Sequence, residues 1–322
     1  MEAPEHPSVR GSRTTAAVIP PELRLVASHA FTPRGPRYGA RRVLRKHIHA
    51  LRGGPDGIGI AFTRRGDDVI VHILAAGRAE TDDVDWAIDL ARGVAGIDDD
   101  PGEFLSVIAK HPVLADLSRT ADPRMFRTPT VFEAIAGAVI EQLVTGLESR
   151  ASIARLWRVA GELLPGTNVH AAPTSQAVRR VPMWKMHELG IGSRRAATLR
   201  EVASRGPALE RLRDMTADVA IEKMQSLRGV GPWTANAVAR DAFGYPDAVP
   251  VGDFHAPSVV TMALTGEEDG DDASMLAALE PFRPHRARVV LVIEHSFVRG
   301  GVGGRKWRAP RVDPHRRMPW KY

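Results

Sequence analysis

Hydrophobic positions alternate with polar ones early in the chain and recur every three or four residues further on. Leu23, Leu25 and Ala27 alternate as one face of a strand does. Ile58, Ile60 and Phe62 alternate before Arg64-Arg65-Gly66-Asp67, and Val69, Val71 and Ile73 alternate after it, which predicts an antiparallel hairpin. From about Asp82 the period lengthens, and Val84, Ile88, Ala91 and Ala95 predict one face of a helix. Residues 21–122 therefore read as a small α/β domain with an antiparallel sheet. Residues 1–20 mix Pro, Ser, Arg and Gly without any period and read as a mobile tail.

Beyond residue 122 the signals are helical. Thr130 with Glu133 forms a capping box ahead of Phe132, Ile135, Val139 and Leu143, an inward-facing stripe. A second helix is predicted from about Glu148 to Leu164, and others near 175–189, 193–205 and 217–227, each closed by Gly or Pro. The helical part spans residues 123–298, so the fold class is α+β, a sheet domain followed by an all-helical one. From Arg299 to Tyr322 the chain holds eight Lys or Arg residues and one Asp, with Trp307, Trp320 and Tyr322 among them. Residues 299–322 read as a basic tail, either solvated or able to grip a nucleic-acid strand.

Composition narrows the classes. A chain of 322 residues suits two domains or more, and 43% hydrophobic residues allow packed cores. The absence of cysteine excludes disulfides, thiolate zinc sites and cysteine-bound iron–sulfur clusters. No apolar run reaches the length of a membrane span, and the N-terminus has no apolar signal core, so a cytoplasmic protein is expected. The pI is near 10.0. Lys and Arg outnumber Asp and Glu by 44 to 38, a modest basic excess that suits a polyanionic partner.

The most informative segment is Leu227-Arg228-Gly229-Val230-Gly231-Pro232-Trp233-Thr234-Ala235. A helix with Val219, Met224 and Leu227 as apolar positions precedes it, and a second helix, Asn236 to Ala242, follows. Gly229 and Gly231 admit backbone angles closed to other residues and let a ligand come close. Pro232 fits the first turn of the second helix. Such a hairpin points free N–H groups outward at a helix N-terminus, where a phosphate binds without base readout.

Twenty-two residues past Gly231 lies Asp253, in Val249-Pro250-Val251-Gly252-Asp253-Phe254-His255, ahead of a helix predicted to start near Ala256. An aspartate there is a favoured N-cap. Capping and catalysis are compatible, because helix N–H groups favour the ionised form and hold it in place. A fixed carboxylate stabilises the positive charge that develops on a sugar when a glycosidic bond breaks, and can orient or deprotonate the attacking water. Asp247 is the competing carboxylate, ranked below Asp253 because it precedes the Pro250 turn.

The glycine hairpin and Asp253 together resemble the helix-hairpin-helix glycosylase superfamily, and the details look most like the bacterial 3-methyladenine-DNA glycosylase II family. The similarity runs from about residue 21 to about 295 and is strongest in 130–145, 186–200 and 227–264. It implies that residues 21–122 form a TATA-binding-protein-like domain and that Asp253 is the catalytic aspartate. It implies that Gly229, Val230, Gly231 and Thr234 hold DNA. Leu143, with Gln142 beside it, matches the residue that wedges into the duplex as the base flips out. Trp233 stands where lyase members carry a lysine, which implies hydrolysis without strand cutting. Trp233 and Phe254 would be pocket aromatics. No cofactor is implied, although hairpin carbonyls could hold a monovalent cation. The implied partner of this monomer is double-stranded DNA of any sequence, at the nucleoid and not at a membrane.

The chain departs from the family at three places. Ala237 stands where a pocket tyrosine is expected, Glu294 near an expected tryptophan, and Glu141 replaces a small residue of the wedge loop. The pocket is thus less aromatic, and Glu294 offers a carboxylate to a cationic base directly. The reaction implied is excision of damaged, alkylated purines. Excision of deaminated or oxidised bases, or DNA binding without catalysis, are the alternatives. Arg194, Arg195 and the basic tail are candidate DNA contacts. A metal enzyme built on His47 and His49, or on His285 and His295, is disfavoured because their spacing and surroundings make no site.

Overall fold

The computed structural model describes the backbone of strands at 22–26, 37–38, 41–46, 58–65 and 68–75, and most of the chain from 92 to 300, the longest break there being 162–169. The N-terminal tail, the helix predicted from Asp82 and the basic tail beyond residue 300 lie outside the described residues. The strands are β1 (Glu22–Val26), β2 (Arg37–Tyr38), β3 (Arg41–Lys46), β4 (Ile58–Arg65) and β5 (Asp68–Ala75). They pair antiparallel in the order β1-β5-β4-β3-β2. The predicted hairpin is β4 with β5, in register from Ile58 opposite Ala75 to Arg65 opposite Asp68. Strand β3 has no apolar alternation, its sequence being Arg-Arg-Val-Leu-Arg-Lys, and the pattern analysis passes over it.

Thirteen helices follow among the described residues. They are α1 (Gly102–Ile108), α2 (Pro112–Leu117), α3 (Val131–Glu141), α4 (Gly146–Ala160), α5 (Ser175–Arg180), α6 (Met183–Glu188) and α7 (Ser193–Ser204). Then come α8 (Gly206–Glu210), α9 (Ala217–Gln225), α10 (Pro232–Phe243), α11 (Ala256–Thr265), α12 (Asp272–Leu279) and α13 (Arg286–Gly300). The segment predicted as one helix over 175–189 is two, because proline cannot continue a helix. Pro182 lacks the N–H and holds Val181 in an extended conformation (ψ 120°).

Helix α3 is apolar nearly all round, with Val131, Phe132, Ile135, Val139 and Ile140 all buried, so it must be enclosed. Helices α4, α7, α8 and α10 enclose it. Its N-terminus is capped twice. Thr130 Oγ1 accepts from the Glu133 N–H at 3.0 Å, and the buried Glu210 carboxylate of α8 accepts from the N–H groups of Val131 and Phe132 at 3.0 and 2.9 Å. Burial pushes the Glu210 carboxyl up from the ordinary range, and those two N–H groups and Arg213 pull it down. The full reciprocal capping box expected at Thr130 lies instead at Thr145 and Glu148, opening α4.

Apolar side chains gather in two main cores. The larger holds α3 and the helices around it, through Leu156, Met186, Leu199, Met224 and Val238. The second joins α1, α2, α11, α12 and α13 through Phe104, Leu114, Val260, Leu279 and Val292. A small cluster of Met125, Ala239, Ala248, Ala287 and Leu291 bridges α10 to α13 between them. The turn at 245–253 runs along this seam. Asp247, with a side chain only 4% exposed, pins it to α13. Its carboxylate accepts from Arg286 Nε at 2.8 Å, Arg286 Nη2 at 2.6 Å, the Arg286 N–H at 3.1 Å and Arg283 Nη1 at 3.2 Å. Asp247, the competing carboxylate, is thus engaged on both oxygens by arginines.

Asp247→Ala leaves the buried Arg286 with only the more distant Glu280 carboxylate, at 3.7 Å, which costs about 3–5 kcal/mol. The melting temperature should fall by about 4–7 °C at this chain size. A melting temperature within a degree of the wild type would show that the pair does not fasten the seam.

Candidate active site

The chain between α9 and α10 forms the hairpin that the glycines predict. Gly229 has φ +85°, and a Cβ on it would lie 2.1 Å from Thr198 Oγ1 of α7. Backbone angle and close packing both demand glycine there. Gly231 is extended (φ −96°, ψ −177°), and a Cβ on it would meet nothing within 4 Å. Gly231 leaves open space on the approach to the hairpin instead of relieving an internal clash. Pro232 takes the first position of α10, and the first N–H bonded back along the helix is that of Ala235, to the Gly231 carbonyl at 3.0 Å. The N–H groups before it have no partner within the helix and lie at the positive end of its dipole, an end that favours negative charge.

Two residues expected to hold DNA are turned inward. Val230 is 4% exposed, packs into the larger core and gives its N–H to the Leu227 carbonyl at 3.1 Å. Thr234 is 2% exposed, and its hydroxyl accepts from Gln142 Nε2 at 2.9 Å. Both anchor the hairpin, so only the backbone of Thr234 remains for a phosphate. Val219, expected on the inner stripe of α9, is 41% exposed, and the stripe is Ala220, Met224 and Leu227.

Helix α3 ends at Glu141, short of Leu143. Gln142 caps it and its amide donates to the Gly229 carbonyl at 3.0 Å as well as to Thr234. The loop after α3 is therefore tied to the hairpin through one side chain. Leu143 does not join the inward stripe. It has φ +55°, alone among the described non-glycine residues in that region, and is 81% exposed. A bare apolar side chain on a left-handed backbone, beside a rigid tie, is held out from the surface. Leu147, the second residue of α4, is also exposed.

Asp253 is fixed at both oxygens. Oδ1 accepts from the N–H groups of His255 at 2.7 Å and Ala256 at 2.9 Å, at the N-terminus of α11. Oδ2 accepts from Trp233 Nε1 at 2.8 Å. Trp233 packs against the larger core, while Val249 and Val251, just before Asp253, pack in the second. The indole N–H thus clasps a carboxylate across the seam. Sequence reasoning assigns Trp233 only to stacking or packing and misses this bond, because nothing in the spacing of residues 233 and 253 pairs them. Gly252 takes φ +85° and gives its N–H to Asp272 at 3.0 Å, which orients the peptide leading into Asp253. Phe254 is 81% exposed, its ring edge-on to His255 at 4.7 Å. Burial pushes the His255 imidazole down, against the pull of Asp253, so it is neutral at physiological pH.

Other predicted residues fall as follows. Arg195 is occupied within the protein, donating to the carbonyls of Ile140 at 2.7 Å and Gly190 at 3.1 Å, where it closes the end of α3. Arg194 is exposed on the first turn of α7. Glu294 lies half-buried on α13 and acts on Arg240 of α10. His285 is buried beside Phe104 with Glu103 at 3.5 Å. His47 and His49 lie outside the described residues. Among the described residues no group of three or more His, Asp or Glu side chains is placed to hold a metal, and no helix is long and apolar enough to cross a membrane.

The two glycines separate by experiment. Gly229→Ala forces a strained angle and a clash with Thr198, and should cost more than about 1 kcal/mol. Gly231→Ala should stay within about 0.5 kcal/mol of the parent. Equal losses in urea unfolding would contradict this division.

No protein-family model matches the chain, and no curated protein sequence matches it significantly. Solved structures do. The 3-methyladenine DNA-glycosylase from Archaeoglobus fulgidus superposes with a TM-score of 0.66 at 23% identity, covering 80% of this chain and 87% of its own. The 8-oxoguanine glycosylase/lyase of Clostridium acetobutylicum, in complex with double-stranded DNA, superposes with a TM-score of 0.60 at 16% identity, covering 79% and 88%. At these identities the likeness is one of fold, and the chain has the fold of these DNA glycosylases.

Proposed function

We propose that this chain is a monofunctional DNA glycosylase that hydrolyses the N-glycosidic bond of a damaged, alkylated purine. The observation that carries the reading is the Asp253 carboxylate, clamped by Trp233 and the N-terminus of α11 on a seam beside the glycine hairpin. The fold shared with DNA glycosylases supports it.

The hairpin backbone takes a phosphate and reads no base, so binding is independent of sequence and weakens with salt. Leu143 fills the gap in the stack as the damaged nucleotide turns out, which offsets part of an unstacking cost of a few kcal/mol. The bond between C1′ and the base nitrogen then breaks with its electron pair going to the base, so that a cationic base leaves neutral. Asp253 stabilises the positive charge left on the sugar, and its fixed oxygens need no reorganisation as that charge develops. Water supplies hydroxyl to C1′ and gives up a proton, leaving an abasic site. Trp233 offers no amine for a Schiff base, so the strand stays intact.

Finer parts of the reading rest on resemblance. These are a TATA-binding-protein-like domain over 21–122 and a glycosylase domain over 123–298. We also take the protein to act as a monomer on nucleoid DNA in the cytoplasm.

Wild-type protein incubated with DNA carrying 3-methyladenine and 7-methylguanine should release free base and leave unbroken abasic strands. Asp253→Asn should lower single-turnover release by about 100-fold or more, the scale of losing one preorganised electrostatic group, while DNA affinity persists. Equal release by both proteins would remove Asp253 from the mechanism. Binding without release of any base would favour a DNA-binding role.

A further inference from the structure

The turn between α6 and α7 repeats the glycine hairpin. Leu189-Gly190-Ile191-Gly192-Ser193 matches Arg228-Gly229-Val230-Gly231-Pro232 in the place of both glycines and of the apolar residue between them. Gly190 has φ +84° where Gly229 has +85°. Ile191 and Val230 are both buried. The Ala196 N–H bonds back to the Gly192 carbonyl at 2.9 Å, as that of Ala235 does to the Gly231 carbonyl at 3.0 Å. The chain thus carries two turns of one build.

The Leu143 loop runs from one turn to the other. At its start, Gln142 is bonded to the Gly229 carbonyl of the first turn. At its end, Gly146 opens α4, and α4 packs on the second turn. A Cβ on Gly190 would lie 2.7 Å from Arg155 Nη2 and 2.8 Å from Ser152 Oγ, both of α4. Arg195, just past the second turn, holds the end of α3 through the Ile140 carbonyl at 2.7 Å. Leu143 therefore stands between the first turn and the surface made by α4 and the second turn. Asp253 belongs to the side of the first turn, since Trp233 of α10 holds it.

The other side is basic and uncovered. Arg150 folds over the start of α4, its Nη1 3.1 Å from where a Cβ on Gly146 would stand. Arg194 is exposed on the first turn of α7. Neither guanidinium has an ion-pair or hydrogen-bond partner among the described residues. Two acids of this side are already engaged. Glu148 completes the capping box with Thr145, and Glu188 pairs with Lys185 at 2.8 Å. Leu147, beside Gly146, is 75% exposed.

Resting on the glycosylase reading above, we propose that Arg150 and Arg194 hold phosphates of the undamaged strand, on the side of Leu143 away from Asp253. A duplex entered by Leu143 has the strand that gives up its base at Asp253, so the other strand passes over this basic side. Guanidinium groups with no ion pair to break there meet a backbone of phosphates. Contacts to phosphate read no base, so the grip serves any sequence. With one strand held on each side of the wedge, the stack cannot close behind the extruded base.

The test is binding of the full-length protein to a duplex with a stable abasic-site analogue, so that it does not depend on turnover. Phosphates near the site are replaced by neutral methylphosphonates in one strand at a time. Neutralising the undamaged strand should cost wild type about tenfold in affinity, the scale of one charge-assisted contact. Arg150→Gln and Arg194→Gln should each lower the slope of log affinity against log salt by about 1. Each should also remove part of the undamaged strand's penalty and keep that of the damaged strand. Unchanged melting temperatures would show that both variants are folded. A penalty for the undamaged strand that is absent in wild type, or as large in both variants as in wild type, overturns the proposal. If wild type releases damaged bases yet shows no such penalty, this inference fails and the glycosylase reading stands. If the penalty follows the two arginines and no damaged base is released, the inference stands and the glycosylase reading fails.

Discussion

A helix without a polar side cannot rest on a surface. The near-complete burial of α3 is the constraint from which the rest of the helical structure follows. It requires partners on every side, and α4, α7, α8 and α10 supply them. It requires a cap for N–H groups that water cannot reach, and the Glu210 carboxylate provides one from outside the helix. It also fixes where the chain emerges. Gln142 leaves the core at the level of the glycine hairpin and bonds to it, so the loop that carries Leu143 and the hairpin turn form one unit.

The same logic connects the two cores. Asp247, with Arg286 and Arg283, fastens the 245–253 turn to α13, and Trp233 reaches across from α10 to take the carboxylate at the end of that turn. Two aspartates six residues apart thus divide the work. One is buried in an ion pair and sets the path of the chain, while the other is held at its tip by N–H donors. Donors on both oxygens suit a group that must offer its charge from a set position.

Much of this was legible in the sequence where local rules dominate. The hairpin glycines, the proline at the start of α10, the aspartate before α11 and the strand pair β4–β5 rest on backbone angles, caps and periodicity, which act within a few residues. Legibility fails where contacts are distant. Thr198 against Gly229 and Trp233 with Asp253 join positions that no spacing relates. Leu143 could be read as a core residue or as a wedge, because an apolar residue just past a helix looks the same in either role. Its positive φ and 81% exposure take it out of the core. Val230 and Thr234 lie inside the hairpin motif, and the motif does not say which members face out.

Leu143 also shows how the free protein is loaded before it meets a ligand. A left-handed backbone at a non-glycine residue costs about 1–2 kcal/mol, and an exposed leucine forgoes the stabilisation of burial. Both penalties are met by the folding energy of the surrounding helices and stay on the molecule in solution. A partner that accepts an apolar side chain at that spot recovers the second of them. The loop therefore resembles a drawn spring, held open by the core beneath it.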